Sequence, residues 1–227
     1  MSSRTEFCAG IRAGLPLLIG VSPFGMIYGV LALGAGLSAG AAQAMSVIVF
    51  AGSAQFVITQ LIGLDTPWGV IVLTAFVVNA RHLLYSVSIA PHLQPLPSSW
   101  KALLSYLLTD EVYAVAITRY NHHAAGAHRH WFFLGAGLTL WCGWQVGTAV
   151  GLLLGGQVPS RWSLDFTLPL IFIALVVPAM KDRADVAAAL TAGGVAMLAA
   201  GLPLKLGLVA AALAGILGGL TVEWRRQ

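Results

Sequence analysis

The chain has 227 residues, of which 58% are hydrophobic and 9% are charged, and its mean hydropathy is +0.85. A soluble domain carries charge on about a quarter of its residues, so this composition excludes a soluble globular protein and indicates an integral membrane protein. The formal net charge is +4, but the basic residues are scattered between apolar stretches, which argues against a nucleic-acid partner.

The apolar stretches are long and are punctuated by Gly, Pro and Trp, which is typical of membrane-spanning helices. The sequence therefore predicts an all-α polytopic helical bundle of seven or eight transmembrane helices. The predicted spans are 14–37, 41–62, 68–90, 100–118, 132–154, 164–180, 186–202 and 204–222. A seven-span alternative stays open, because only Gly201, Pro203 and Lys205 interrupt the last apolar run.

The basic residues predict the orientation of the bundle. With the N-terminus in the cytoplasm, eight basic residues fall on the cytoplasmic side and three on the outer side, which agrees with the positive-inside rule. Tryptophans also lie at span ends, where indole rings favour the membrane interface. We therefore expect one transmembrane domain, residues 1–227, with both termini cytoplasmic.

The first span contains the stretch GVSPFG at residues 20–25. Pro23 removes a backbone donor and glycines flank it, which favours a broken first helix whose amides would be exposed near Phe24 and Gly25. A kink used only for helix packing is the alternative.

The second span contains FAGSAQF at residues 50–56. Gly52 and Ser53 are small, so another backbone could approach closely, and Gln55 offers both a donor and an acceptor. Taken alone, this segment is typical of contacts between helices.

The third span carries Asn79, Arg81 and His82 within an apolar helix pattern, and His82 shares a face with Tyr85. An arginine in a span costs from about 3 kcal/mol on insertion scales to above ~10 kcal/mol in simulations. Such a cost indicates that Arg81 has a partner, a water-filled cavity or a function.

The fourth span carries the adjacent carboxylates Asp110 and Glu111, and Asp110 shares a face with Tyr113. At 1.5 Å per residue, Arg81 and Asp110 differ in depth by about 5 Å, which a guanidinium side chain can bridge. This predicts an ion pair of Arg81 with Asp110 or Glu111. The pair either closes the bundle or lines a substrate or proton pathway.

A weak internal repeat places Gly25 and Gly29 over Gly147 and Gly151, with further matches between the halves. It predicts two related halves, 10–120 and 130–224, arranged as parallel repeats around a two-fold axis. Four of the six histidines lie in the linker 121–130, but their spacing matches no metal-site template, so neither a metal nor a cofactor is expected.

Together, the motifs FAGSAQF, NARHLLY at 79–85 and LTDE at 108–111 resemble the AzlC family, the large subunits of bacterial branched-chain amino acid exporters. The stretch 20–25 also fits the family's first span, and the resemblance covers nearly the whole chain. It implies export of leucine, isoleucine, valine and, as a further candidate, methionine across the bacterial inner membrane. It also implies a small AzlD-type membrane subunit as partner.

A zwitterionic amino acid needs a cationic contact, an anionic contact and an apolar pocket. We expect Arg81, or a broken-helix amide end at Pro23–Gly25, to take the carboxylate, and Asp110 or Glu111 to take the ammonium or a coupling proton. His82 is a second proton candidate. The predicted substrate and translocation residues are Pro23, Phe24, Gly25, Gly52, Ser53, Gln55, Asn79, Arg81, His82, Tyr85, Asp110, Glu111 and Tyr113.

Four alternatives stand beside an exporter of branched-chain amino acids. The first is a transporter of another small zwitterionic or organic solute. An intramembrane enzyme is disfavoured, because the sequence lacks the serine, zinc and aspartyl protease motifs. A scaffold would not need the buried charges, and a channel would need a longer polar lining than one compact cluster provides.

Overall fold

The computed structural model describes residues 2–122, 128–156, 180, 182–199, 201 and 206–224. Every regular element in these ranges is a helix, so the all-α fold class is confirmed. Contacts divide the chain into two compact units, Met1–Gly63 with Ala75–Val158 and Leu64–Thr74 with Pro159–Gln227.

The described residues form eleven α-helices and one 3₁₀ turn. The helices are α1 Ser3–Gly14, α2 Leu18–Gly34, α3 Ala39–Val49, α4 Gly52–Gly63, α5 Trp68–Asn79, α6 Arg81–Leu93, α7 Ser98–Tyr106, α8 Asp110–His122, α9 Arg129–Gly155, α10 Arg183–Leu198 and α11 Leu206–Trp224. The 3₁₀ turn Leu15–Leu17 joins α1 to α2.

Three helical stretches among the described residues are long and apolar enough to cross a membrane: Ser3–Gly34, Trp68–Leu93 and Arg129–Gly155. They correspond to the predicted first, third and fifth spans. The predicted span 164–180 lies outside the described residues. Among the described residues, the last apolar run contains the helices α10 and α11, and the choice between seven and eight spans stays a prediction.

The sequence predicted that the first span is broken at Pro23, and this prediction is wrong. Helix α2 continues through Pro23, and the interruption is the 3₁₀ turn that contains Pro16. The missing Pro23 amide costs one bond inside the helix, a loss that packing against neighbouring helices offsets. Pro23 is exposed on α2, so the alternative of a kink used for helix packing stays a prediction.

The breaks lie instead in the second and fourth spans. Helix α3 ends at Val49 and α4 begins at Gly52, while α7 ends at Tyr106 and α8 begins at Asp110. The third span is only tightened at Ala80, whose amide donates to the Val77 carbonyl at 3.2 Å. Each interruption falls within one of the three polar motifs.

Helices α2 and α9 run parallel and pack backbone to backbone in the first unit. A Cβ on Gly25 would lie 2.8 Å from the Trp144 carbonyl oxygen, and a Cβ on Gly147 would collide with the Ser22 carbonyl oxygen. Gly29 and Gly151 make the same kind of approach one turn further on. Small residues at these positions allow the close helix contact, which is common in membrane proteins.

Candidate functional site

The gap between α3 and α4 is held by side chains from other helices. Phe50 adopts the left-handed conformation, with φ of 33° and ψ of 50°, which turns the chain out of α3. The Val47 carbonyl accepts a hydrogen bond from the Tyr106 hydroxyl, and the Ser46 carbonyl accepts one from Gln145 Nε2 at 3.2 Å. The last carbonyls of a helix have no partner within it, and the interior of a membrane has no water to supply one. These two hydrogen bonds therefore satisfy carbonyls in the last turn of α3.

The gap between α7 and α8 places two carboxylates at a helix start. Thr109 Oγ1 accepts a hydrogen bond from the Val112 amide at 3.4 Å, so Thr109 caps α8. Asp110 and Glu111 then lie in the first turn, where negative charge is favourable to the helix dipole. The sequence placed Asp110 and Glu111 in the interior of one continuous helix; they lie instead at the start of a second helix.

Arg81 joins the three interrupted spans at one point. Its Nη1 donates to Asp110 Oδ2 at 3.0 Å, and its Nη2 donates to Ser53 Oγ at 2.5 Å. Ser53 lies in the first turn of α4, Arg81 begins α6 and Asp110 begins α8. We call Ser53, Arg81 and Asp110 the charge cluster.

The charge cluster is accessible to a small molecule. The Arg81 side chain is 31% exposed and the Asp110 side chain is 44% exposed. This exposure favours a pair that lines a pathway over one that only closes the bundle. The arrangement leaves room for a polar ligand.

Two buried polar atoms beside the charge cluster have unused bonding capacity. Arg81 Nε is a donor and Asn79 Oδ1 is an acceptor, and neither has a hydrogen-bond partner within the part of the chain that the structure describes. A buried unsatisfied group costs about 1–3 kcal/mol. Arg81 Nε and Asn79 Oδ1 therefore leave one donor and one acceptor available on the third span.

Aromatic side chains connect α6 to α8 next to the cluster. The rings of Tyr85 and Tyr113 stack with centroids 4.7 Å apart, and the Tyr113 hydroxyl bonds to Ser88 Oγ at 2.8 Å. The His82 ring contacts Tyr85 edge to face, and its Nδ1 lies 3.1 Å from the Asn79 carbonyl oxygen. The predicted residues of the third and fourth spans therefore form one neighbourhood.

Other predicted site residues lie in the packing layer between α2, α4 and α9. Phe24 contacts Phe56 edge to face with ring centroids 6.1 Å apart. A Cβ on Gly52 would lie 2.9 Å from the indole of Trp144, and Gln55 is fully buried. Gly25 packs against α9, while Pro23 is exposed inside the continuous helix α2. Neither residue lies at a broken helix end, so the expectation of a carboxylate-binding amide end there is wrong.

A cavity of about 740 Å³ begins at the two carboxylates. It is a groove that is largely open along its length: Asp110 and Glu111 line one end of it, and most of its remaining lining comes from α1 and α8. Its lining is mostly apolar, with small side chains such as Ala13 and Ala114. The charge cluster thus has an apolar space beside it.

Sequence reasoning missed a buried polar layer between α3 and α9. Ser46 Oγ lies 3.1 Å from Thr148 Oγ1, and Gln43 Nε2 donates to Gln145 Oε1 at 2.7 Å. The ion pair of Glu6 with Arg119, at 3.2 Å, was also missed. Polar residues at one-turn spacing, Gln43 with Ser46 and Gln145 with Thr148, were the available signal.

Comparisons with known proteins agree on one family. The profile of the AzlC protein family matches residues 16–158. A protein of Bacillus subtilis named branched-chain amino acid transport protein AzlC is 30% identical over 98% of this chain and 88% of its own length. An uncharacterised membrane protein of Archaeoglobus fulgidus is 32% identical over 95% of this chain and 94% of its own length.

A third relative, inner membrane protein YgaZ of Escherichia coli, is 29% identical over 78% of this chain and 74% of its own length. No solved structure matches the chain.

Proposed function

Since the chain belongs to the AzlC family, we propose that it exports branched-chain amino acids across a bacterial inner membrane. The name of the Bacillus relative supports the substrate class, and that of the Escherichia relative supports the membrane. The family is one of transport proteins, so no catalytic role is assigned to any residue. The partner is a small AzlD-type membrane subunit, and the substrates are leucine, isoleucine, valine and methionine.

The observation that carries the proposal is the position of Arg81 between Ser53 and Asp110. Guanidinium groups bind carboxylates in a two-pronged geometry, so a substrate carboxylate can replace Asp110 as the partner of Arg81. Asp110, once released, accepts the substrate ammonium. The ion pair between Arg81 and Asp110 is thereby replaced by two ion pairs with the substrate, one at its carboxylate and one at its ammonium.

The surrounding groups complement the same zwitterion. Arg81 Nε supplies an additional donor for the carboxylate, and Asn79 Oδ1 supplies an acceptor for the ammonium. The first-turn amides of α4, at Gly52 and Ser53, bring the positive end of a helix dipole to the cluster. An apolar branched side chain can extend into the groove beside Glu111.

Transport is coupled to protons in this proposal. Protonation of Asp110 removes the negative charge that holds the substrate ammonium, so a proton and an amino acid compete for the site, as exchange of one for the other requires. Glu111 and His82 are the other proton carriers within the neighbourhood. A proton entering against an outgoing amino acid would drive export.

The test is counterflow of radiolabelled leucine in proteoliposomes, with and without the small partner, at two proton gradients. We expect gradient-dependent flux, reduced about tenfold or more by Arg81→Ala, since a hydrogen bond to a charged group is worth about 1.5–3 kcal/mol. Arg4→Ala is the matched control, because Arg4 is an exposed arginine of α1. Competition by isoleucine, valine and methionine defines the substrate class.

Two results would contradict the proposal. One is the absence of flux for all four amino acids even with the partner present. The other is full leucine flux in Arg81→Ala, checked for folding by circular dichroism and size-exclusion chromatography.

A further inference from the structure

The groove between α1 and α8 has charged residues at both ends and mainly small or apolar residues between them. At one end lie Asp110 and Glu111, and at the other lies Arg119. These ends are about 13 Å apart along α8 at 1.5 Å per residue. Between them the walls carry small or apolar side chains, among them Ala9 and Ala13 on α1 and Ala114 on α8.

At the far end of the groove an ion pair joins α1 to α8. Arg119 Nη2 on α8 donates to Glu6 Oε1 on α1 at 3.2 Å, and the Arg119 guanidinium lies over the Phe132 ring, 5.4 Å from its centroid. Glu6 lies in the first turn of α1, so this end faces the side of the membrane on which the N-terminus lies. Both side chains are largely covered, with 21% of Arg119 and 13% of Glu6 exposed.

The two ends of the groove offer the same charges. Each has one arginine and at least one carboxylate, which is the complement of a zwitterion. The separation of about 13 Å is much longer than the distance between the ammonium and carboxylate of one amino acid. A single substrate therefore cannot bridge both ends at once and would occupy them in turn.

We infer that this groove is the route by which the amino acid reaches the charge cluster from the N-terminal side. Glu6 and Arg119 form the gate, which opens when a substrate supplies the opposite charges to both side chains. Ala9, Ala13 and Ala114 set the width of the route and so select the size of the substrate side chain. This inference rests on the proposed transport of amino acids and adds a path, a gate and specificity-determining residues.

The alternative is that Glu6 and Arg119 only clip α1 to α8. A clip would need neither a groove lined by alanines nor carboxylates at its inner end. The two interpretations differ in one measurable respect. A route must be reachable by a water-soluble reagent from one side and must be occupied by substrate, whereas a clip needs neither property.

The first experiment labels the route with cysteine. Cys8 and Cys142 are both exposed and are replaced by serine, and Ala13→Cys and Ala114→Cys are introduced singly. A charged methanethiosulfonate reagent is added from either side of sealed vesicles. We expect labelling from the N-terminal side only, slowed several-fold by leucine but not by glutamate. Ala102→Cys, on the exposed face of α7, is the control that leucine should not protect.

The second experiment narrows the route. Ala13→Leu should lower leucine flux relative to alanine flux by at least about tenfold, since added methylenes in a close-fitting passage discriminate by this order. Equilibrium binding of leucine in detergent should change little, because the charge cluster is intact.

The outcomes separate this inference from the proposed function. Normal leucine flux with cysteines that are unreactive, or reactive without protection, overturns the route and leaves the exporter standing. Unchanged selectivity in Ala13→Leu overturns the role of the alanines. A protein that neither binds nor moves leucine fails at the proposed function itself.

Discussion

At the scale of single residues, we predict that the charge on Asp110 determines whether transport responds to protons. Asp110→Asn keeps an oxygen that can accept from Arg81 Nη1, but the amide cannot take up or release a proton. We expect leucine exchange without a gradient to persist and gradient-driven export to be lost. The measurement is leucine export from proteoliposomes at two values of the proton gradient.

Asp65→Asn is the matched control for this prediction. Asp65 lies in a turn with a φ of 49°, a conformation that asparagine also tolerates, so the change should leave fold and transport intact. Export by Asp110→Asn that still follows the proton gradient would assign the coupling proton to Glu111 or His82 instead.

Part of the charge cluster could be predicted from the sequence. The helical rise per residue puts Arg81 and Asp110 at similar depth on consecutive spans, and a charged arginine inside a membrane is costly without a partner. A pair of Arg81 with Asp110 or Glu111 was therefore predictable. The contact of Arg81 with Ser53 could not be derived, because a sequence gives the depth of a residue in the membrane but not which helix lies beside which.

At the scale of helices, the sequence predicted a break in the first span, but the breaks lie in the second and fourth spans. Pro23 favoured a break in α2, whereas the observed helix start at α8 has a capping signal at Thr109–Glu111. A hydroxyl residue followed by acidic residues is typical of a helix start, and this signal was available at Thr109. Phe50 gave none, since a bulky residue in the left-handed conformation is held there by its surroundings.

Tyr106 is predicted to stabilise the gap between α3 and α4. Its hydroxyl donates to the Val47 carbonyl and accepts from Trp141 Nε1 at 2.7 Å, so Tyr106→Phe leaves one acceptor and one donor without a partner. We expect a loss of about 1 kcal/mol in the free energy of unfolding, in line with hydrogen bonds between membrane helices. Thermal unfolding in detergent measures this loss.

Ser105→Ala is the control on the neighbouring residue. Among the described residues, the Ser105 hydroxyl donates only to the Lys101 carbonyl in the same helix, so its removal should have a smaller effect. Equal losses in the two variants would mean that the Tyr106 hydroxyl does not support the end of α3.

At the scale of the whole chain, the glycine contacts between α2 and α9 bear on the predicted internal repeat. The same spacing of 122 residues relates Gly25 to Gly147 and Gly29 to Gly151. Gly25 faces the Trp144 carbonyl while Gly147 faces the Ser22 carbonyl, and residues 22 and 144 are related by that same spacing. Such reciprocal contacts are what a two-fold axis between parallel first spans would produce. The duplication of the halves 10–120 and 130–224 stays a prediction.

The reciprocity can be tested by substitution. If a two-fold axis relates the helices, Gly25→Ala and Gly147→Ala should destabilise the protein by similar amounts, about 1–3 kcal/mol each, because each added methyl meets a backbone carbonyl. The double variant should lose less than the two single losses combined, since the first methyl already separates the helices. Gly20→Ala is the control on α2: a Cβ there meets nothing within 4 Å, so it should be neutral or stabilising. Unfolding in detergent measures all four variants, and a Gly20→Ala loss equal to that of Gly25→Ala would contradict the close contact of α2 with α9.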